Sequence, residues 1–290
     1  MAGIVRGGET GVAMDMHAVS AEGRTGERVR AGGTTHAERV FRVQQAFLKL
    51  RGRTHGPGAL AEAAGLDDSA VHRILQSGIY EGVFDRVGRG MYQLGTTAAL
   101  VGMQAMAHTL DRHTARSILL RLRAATGGGL AFLYTLAPFG GAQRQCVDMA
   151  VGDSDLSELG MTPREVLTVT RSLRVGASGR AILAYLPRPI QERIAAEPAV
   201  AEAGPGVLVD NDALWDSLRD IRDQGYAIGL EECIAGWNSC AAPVMWDGWV
   251  FGAVLVLLPD SAHVHPDVID ATTTAATQLS LSLGPHHRVM

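Results

Sequence analysis

From His36 to Leu50 the apolar residues Val40, Val43, Ala46, Phe47 and Leu50 recur three and four apart, which predicts an amphipathic helix. The run RGRTHGPG then interrupts it. Between Leu60 and Leu75 the stretch LAEAAGLDDSAVHRIL fits neither a simple helical repeat nor strand alternation. Two short helices that cross steeply through a tight turn require such an order, because the turn residue must tolerate an unusual backbone and the crossing point must be small. Gly65 meets the first demand and Ala61 the second, while Leu60, Ala64, Leu66, Val71 and Ile74 fall at interior positions. Asp68 or Ser69 is placed to cap the second helix through a side-chain oxygen. In VFDRVGRGMYQLG two short extended runs flank Gly88-Arg89-Gly90, as in a hairpin. Three helices and a hairpin make a winged helix-turn-helix.

Further on, Thr97 to Ala125 contains no proline and carries Leu100, Met103, Met106, Leu110, Ile118, Leu119 and Leu122, consistent with one long helix or two joined ones. Apolar extended runs (130–137, 146–151, 226–230 and 250–258) then alternate irregularly with helical stretches (177–185, 212–224 and 268–283). That alternation predicts an α+β sheet domain. Residues 1–35 are rich in glycine and polar groups without sustained apolar period and read as a disordered leader. The resulting division is leader 1–35, winged helix-turn-helix 36–95, linker helix 96–115, sheet domain 116–285 and tail 286–290.

Charge sharpens this picture. Residues 36–95 carry eight basic and six acidic groups, whereas 96–290 carry fourteen and twenty. The first segment therefore tolerates a local DNA-binding face even though the whole chain is at −4. On the second helix of the motif, Ser69, Ala70, His72, Arg73 and Gln76 are the outward positions, and Arg73 and Gln76 are long enough to reach base edges in the major groove. Arg86 and Arg89 on the wing are placed for phosphates or the minor groove. A helical hairpin used for protein contacts, with an ordinary charged hairpin beside it, is the competing reading. Three scattered cysteines make no disulfide framework, the longest apolar run is too short to cross a bilayer, and a cytoplasmic protein without membrane contact is expected.

With those residues in place the chain resembles the IclR family of bacterial transcriptional regulators from about His36 to Leu283. GLDDSAVHRIL is similar to the recognition helix of that family and GRGMYQLG to the end of its wing. GASGRAILAYLP, IRDQGYAIGLEE and CAAPVMWDGWVFGAVLVLLP resemble successive landmarks of its effector domain. The resemblance implies a winged helix, a linker helix and a C-terminal GAF-like effector-binding domain with a mainly antiparallel sheet. It also implies homodimers, often paired into homotetramers on double-stranded operator DNA.

Several positions depart from the family pattern. Asp67-Asp68 stands where a proline and a polar or basic residue are common, and Gly78 replaces a leucine, which predicts an early end to the recognition helix. Ser239 occupies the place of a pocket cysteine, with Cys240 one residue later; Val256-Leu257-Leu258 replaces a serine-bearing strand end, and Gly229 an acidic residue. A pocket lined by Gly229, Ser239, Cys240, Val256 and Leu258 has fewer groups to satisfy a very polar ligand, so the expected effector is an aromatic or otherwise partly apolar carboxylic acid. Ala177, Ser178 and Gly179 open a helix whose free amides suit a carboxylate. Trp237 is a candidate to stack on an aromatic effector.

Enzymatic chemistry finds little support. GASGR lacks the order of a nucleophile elbow, and TGGGLAF lacks a phosphate-binding or dinucleotide continuation. Glu231-Glu232 on a strand would point to opposite faces. His263 and His265 have no assigned third ligand, so neither a metal nor another cofactor is expected. The reading is a DNA-binding regulator, with repression favoured because occupancy near a promoter blocks polymerase without a dedicated contact. The alternatives are a metabolic enzyme with an appended helix-turn-helix, and a sensor or adaptor whose winged helix has degenerated.

Overall fold

The computed structural model describes residues 35–50, 52–107, 109–137, 142–198 and 203–283. The expected leader, but for Thr35, lies outside the described residues, and so does the expected tail with His286 and His287. The first helices are α1 (Thr35–Lys49), α2 (Pro57–Ala64) and α3 (Asp68–Tyr80), followed by strands β1 (Phe84–Arg86) and β2 (Tyr92–Leu94). The strands pair antiparallel, with Phe84 opposite Leu94. His55 adds a bridge to Tyr92 through amide-to-carbonyl bonds of 2.8 and 2.9 Å. Val43, Phe47, Leu60, Val71, Leu75 and Phe84 form the core of this unit. It is the winged helix-turn-helix that the apolar pattern predicts.

Gly65 ends α2 in the left-handed conformation at φ 63° and ψ 45°, which a side chain would disfavour, and so lets the chain turn. The cap of α3 corrects an expectation: Asp67, rather than Asp68 or Ser69, accepts the Ala70 amide at 2.8 Å. Gly78 does not end the helix, which runs on to Tyr80. A side chain at position 78 would collide with the Phe84 ring, so the glycine lets the wing close against α3.

The expected linker helix over 96–115 is two helices, α4 (Thr96–Ala107) and α5 (Arg112–Ala125). Asp111 starts the second by accepting the Thr114 amide at 2.9 Å. No described residue of α4 is buried, whereas α5 buries Ala115, Ile118, Leu119 and Leu122.

The remaining strands are β3 (Leu130–Leu136), β4 (Gln143–Ala150), β5 (Thr170–Ser172), β6 (Ala227–Leu230), β7 (Trp237–Trp246) and β8 (Trp249–Pro259). They form one antiparallel sheet in the order β5-β4-β3-β8-β7-β6. The helices are α6 (Pro163–Thr168), α7 (Gly176–Leu183), α8 (Arg188–Ala195), α9 (Asn211–Gln224) and α10 (Pro266–Ser282). Alternate side chains of each strand serve opposite layers. Leu133, Val254, Val256 and Cys240 pack in the layer of α5 and α10, while Phe132, Leu255, Leu257 and Ala241 pack in that of α7 and α9. A sheet covered on both faces explains why β8 reads as an unbroken apolar run.

Strand β7 was hidden in the sequence because Pro243 and the small residues before it weaken the strand pattern. Its signal was Asp247-Gly248, both at positive φ, 48° and 85°, in a two-residue turn that pairs Trp246 with Trp249. The short elements β5, α6 and α8 also lay beyond the apolar pattern.

Candidate functional site

The chain offers two candidate sites. On α3, Ser69, His72, Arg73 and Gln76 are exposed, as are Arg86 and Arg89 on the wing. Gly88 and Gly90, at φ 69° and 71°, hold the turn on which Arg89 stands. Ala70 is a correction: it is only 4% exposed and turns inward, because it lies one turn before buried Ile74 on the same face of the helix. The Asp67 carboxylate accepts the Ser69 hydroxyl at 2.6 Å as well as the Ala70 amide. Those bonds, the Ser69 hydroxyl first, hold its carboxyl below the usual value. Capping thus occupies one carboxylate at the start of α3.

The second site is a cavity between the sheet and the start of α7. Phe132, Tyr134, Leu255 and Leu257 supply its apolar wall, and Arg144, Arg171, Ser178 and Ser239 its polar groups. It encloses about 40 Å³, room for roughly two or three waters. A larger ligand must therefore push its walls outward.

Arg144 is the unusual member. It is 2% exposed, donates to the Ser172 carbonyl and lies 5.5 Å over the Tyr134 ring, yet its Nε lacks any partner among the described residues. No carboxylate is among the residues lining the cavity. The nearby Glu232 is already engaged, accepting the Gly176 amide at 3.0 Å and pairing with buried Arg180. Burying a charge without a counter-ion is costly, so an incoming anion would relieve Arg144. Ala177 and Ser178, at the second and third positions of α7, have no acceptor within their own helix and add a positive end beside it. Burial raises the Tyr134 phenol above its ordinary value, keeping it a neutral donor.

Other sequence candidates fall where the register sends them. Ser239 lines the cavity, and its hydroxyl donates to the Gly229 carbonyl at 3.3 Å. A side chain on Gly229 would stand 2.7 Å from that hydroxyl and 3.3 Å from the Ala177 amide, so glycine permits β6 to approach α7. Gly179 makes room for the Arg144 guanidinium rather than lining the space itself. Cys240, Val256 and Leu258 are corrections: each is one residue out of phase with Ser239 or Leu257 and packs in the α5–α10 layer. Trp237 does not line the cavity and borders instead the neighbouring groove with Leu257, Leu258 and Pro259. Glu231, expected on a strand, lies in the turn after β6 at φ 49°, where its carboxylate accepts the Gly236 amide at 2.7 Å.

The arginines and aromatics of the cavity escaped the sequence reading. Arg144 alternates with Cys146 along β4, and the apolar run of β3 conceals that Phe132 and Tyr134 share one face. An arginine inside a half-buried strand was the available signal. Among the described residues no group of three or more histidines, cysteines or acids is arranged to hold a metal. None of the described helices is long and apolar enough to cross a membrane.

Residues 166–280 match the family model of the bacterial transcriptional regulator IclR C-terminal region. The probable HTH-type transcriptional regulator ArcR of Halobacterium salinarum is 30% identical over 195 residues, spanning 67% of this chain and 72% of its own. Among solved structures, an IclR homologue of Microbacterium hydrocarbonoxydans complexed with 4-hydroxybenzoate superposes with a TM-score of 0.53 at 19% identity, over 86% of this chain and 99% of the other. The Thermotoga maritima IclR gives 0.52 at 20% identity, over 85% and 98%. At such identities the superpositions speak for the fold, while the family model and the ArcR relative carry the assignment. The chain belongs to the IclR family, whose members are transcriptional regulators rather than enzymes.

Proposed function

We propose that the chain is an effector-controlled repressor in which residues 36–95 read an operator and 116–285 bind an organic anion with a substantial apolar body, such as a small aromatic carboxylate. Arg144 carries this reading: a buried guanidinium without a carboxylate, in an apolar cavity, calls for an anionic ligand. The aromatic wall of Phe132 and Tyr134 suits a ring, and the Microbacterium homologue was crystallised with 4-hydroxybenzoate. Ser69, His72, Arg73 and Gln76 would enter the major groove, with Arg86 and Arg89 on the backbone. Leu100, Val101, Met103 and Met106 leave an exposed apolar surface on α4 that suits a homodimer seam, and pairs of dimers would form a tetramer on DNA.

Control follows from linkage. A ligand that must push the cavity walls outward favours one conformation, and an operator favours one spacing of the reading helices, so each changes the other's affinity. Calorimetry with benzoate, 4-hydroxybenzoate and glyoxylate, paired with mobility shifts on the DNA flanking the gene, tests the proposal. Aromatic acids should bind and release the DNA. Tight glyoxylate binding without aromatic binding would overturn the effector class, and failure to retard any flanking DNA at low salt would overturn operator reading.

A further inference from the structure

The three thiols differ in access. Cys146 and Cys240 are buried, and burial pushes both up to about 12, which leaves them protonated and unreactive. Cys233 is half-buried in the turn after β6. It lines both the effector cavity and the open groove outside it, and Arg144, Met161 and Arg171 are shared by the same two spaces. Cys233 thus stands where the two spaces adjoin. The sulfur rests over the first residue of α7, where a side chain on Gly176 would collide with it. An independent observation points to a ligand here: Arg144, 2% exposed and with its Nε unpartnered, brings Nη2 to 3.9 Å from the Cys233 sulfur.

We infer that Cys233 is a covalent modification site for electrophilic organic anions, namely carboxylates that carry an α,β-unsaturated carbonyl. Arg144 and Arg171 hold the carboxylate while the sulfur adds to the β-carbon. In that step a carbon–sulfur bond forms, the π pair of the double bond moves toward the α-carbon, and the proton lost by the thiol ends there. No oxidant is consumed and no group leaves. The adduct fixes the ligand in the cavity, so the response outlasts dilution of the free compound. The inference rests on the anion-binding reading of the cavity.

Labelling of the full-length chain with maleimidobutyrate, an anionic acceptor, and with N-ethylmaleimide, a neutral one, tests it. Rates are followed by intact mass and peptide mapping, with glutathione as the reference thiol for each reagent. A single adduct on Cys233, with a preference for the acid roughly tenfold above that of glutathione, is expected from local electrostatic enrichment. Arg144→Gln should bring the preference down to that of glutathione. Should that variant fail to fold, benzoate should slow labelling of the unaltered chain instead. Adducts confined to Cys146 or Cys240, or a preference no greater than glutathione's, overturn the proposal. Calorimetry of benzoate on the unaltered chain separates the two levels: benzoate binding without any labelling preference defeats the covalent site alone, whereas absence of both defeats the anion pocket too.

Discussion

The Ser69 hydroxyl donates to the Asp67 carboxylate at 2.6 Å, tying an exposed residue in the first turn of α3 to the group that caps that helix. Asp67 also accepts the Ala70 amide, and both bonds favour its charged form. Because its folded value lies below that of an ordinary aspartate, the cap stabilises fully above the unfolded value and is lost as pH falls through the folded one. Carbon-detected NMR titration should show Asp67 titrating below the ordinary aspartate, and Asp67→Ala should lower the thermal midpoint at pH 7 but not in strong acid. An ordinary titration for Asp67 would show that the cap does not form in solution.

Gly78 and Phe84 make a comparable pair on the wing side. With a side chain at 78 the ring must shift, so Gly78→Ala should cost about 1–3 kcal/mol, the usual penalty of overpacking. Chemical denaturation of Gly78→Ala should show this loss, matched by weaker DNA binding, since the wing is displaced. Unchanged stability and affinity would mean that Phe84 repacks without consequence.

In the sheet region, Arg180 and Glu232 form a buried pair, with side chains 5% exposed on each side. Arg180→Ala leaves Glu232 charged without its partner and should destabilise by about 3–5 kcal/mol. Arg144→Met behaves differently, because it removes a buried charge that has no carboxylate partner among the described residues. Its denaturation midpoint should stay near that of the unaltered chain, while affinity for an aromatic carboxylate falls by roughly tenfold or more, as expected for a charge-assisted hydrogen bond. A large loss of stability in Arg144→Met would give that residue a structural role instead.

The apolar surface of α4 makes an oligomerisation test direct. Met103→Glu places a charge on the surface that includes Leu100 and Met106, and should shift the chain toward monomer in sedimentation velocity. A dimer of undiminished strength would move the seam elsewhere.

How much of this was legible in the sequence depended on what each signal measures. The helix-turn-helix was readable because Gly65, Ala61 and five interior apolar positions each answer a local geometric demand. The side of the sheet on which a residue faces was not, since both faces of β8 are buried and its run is apolar throughout. Cys240, Val256 and Leu258 were therefore assigned to the pocket although they belong to the α5–α10 layer. Even the Asp247-Gly248 turn would have misled, because its Trp246–Trp249 register carried back along the strands sets Ser239 opposite Val256, and only a bulge after Val244 brings Leu257 there. Arg144 lay further out of reach, because its missing partner is a property of the assembled interior.

Coupling between cavity and operator is most directly measured by DNA affinity at fixed salt, using fluorescence anisotropy on the flanking intergenic DNA, with and without saturating 4-hydroxybenzoate, for the unaltered chain and for Arg144→Met. Linkage through the buried arginine predicts a ligand-induced change of about 5- to 150-fold in the unaltered chain and almost none in the variant. Ligand that binds but leaves DNA affinity unchanged, or an equal response in Arg144→Met, would contradict it.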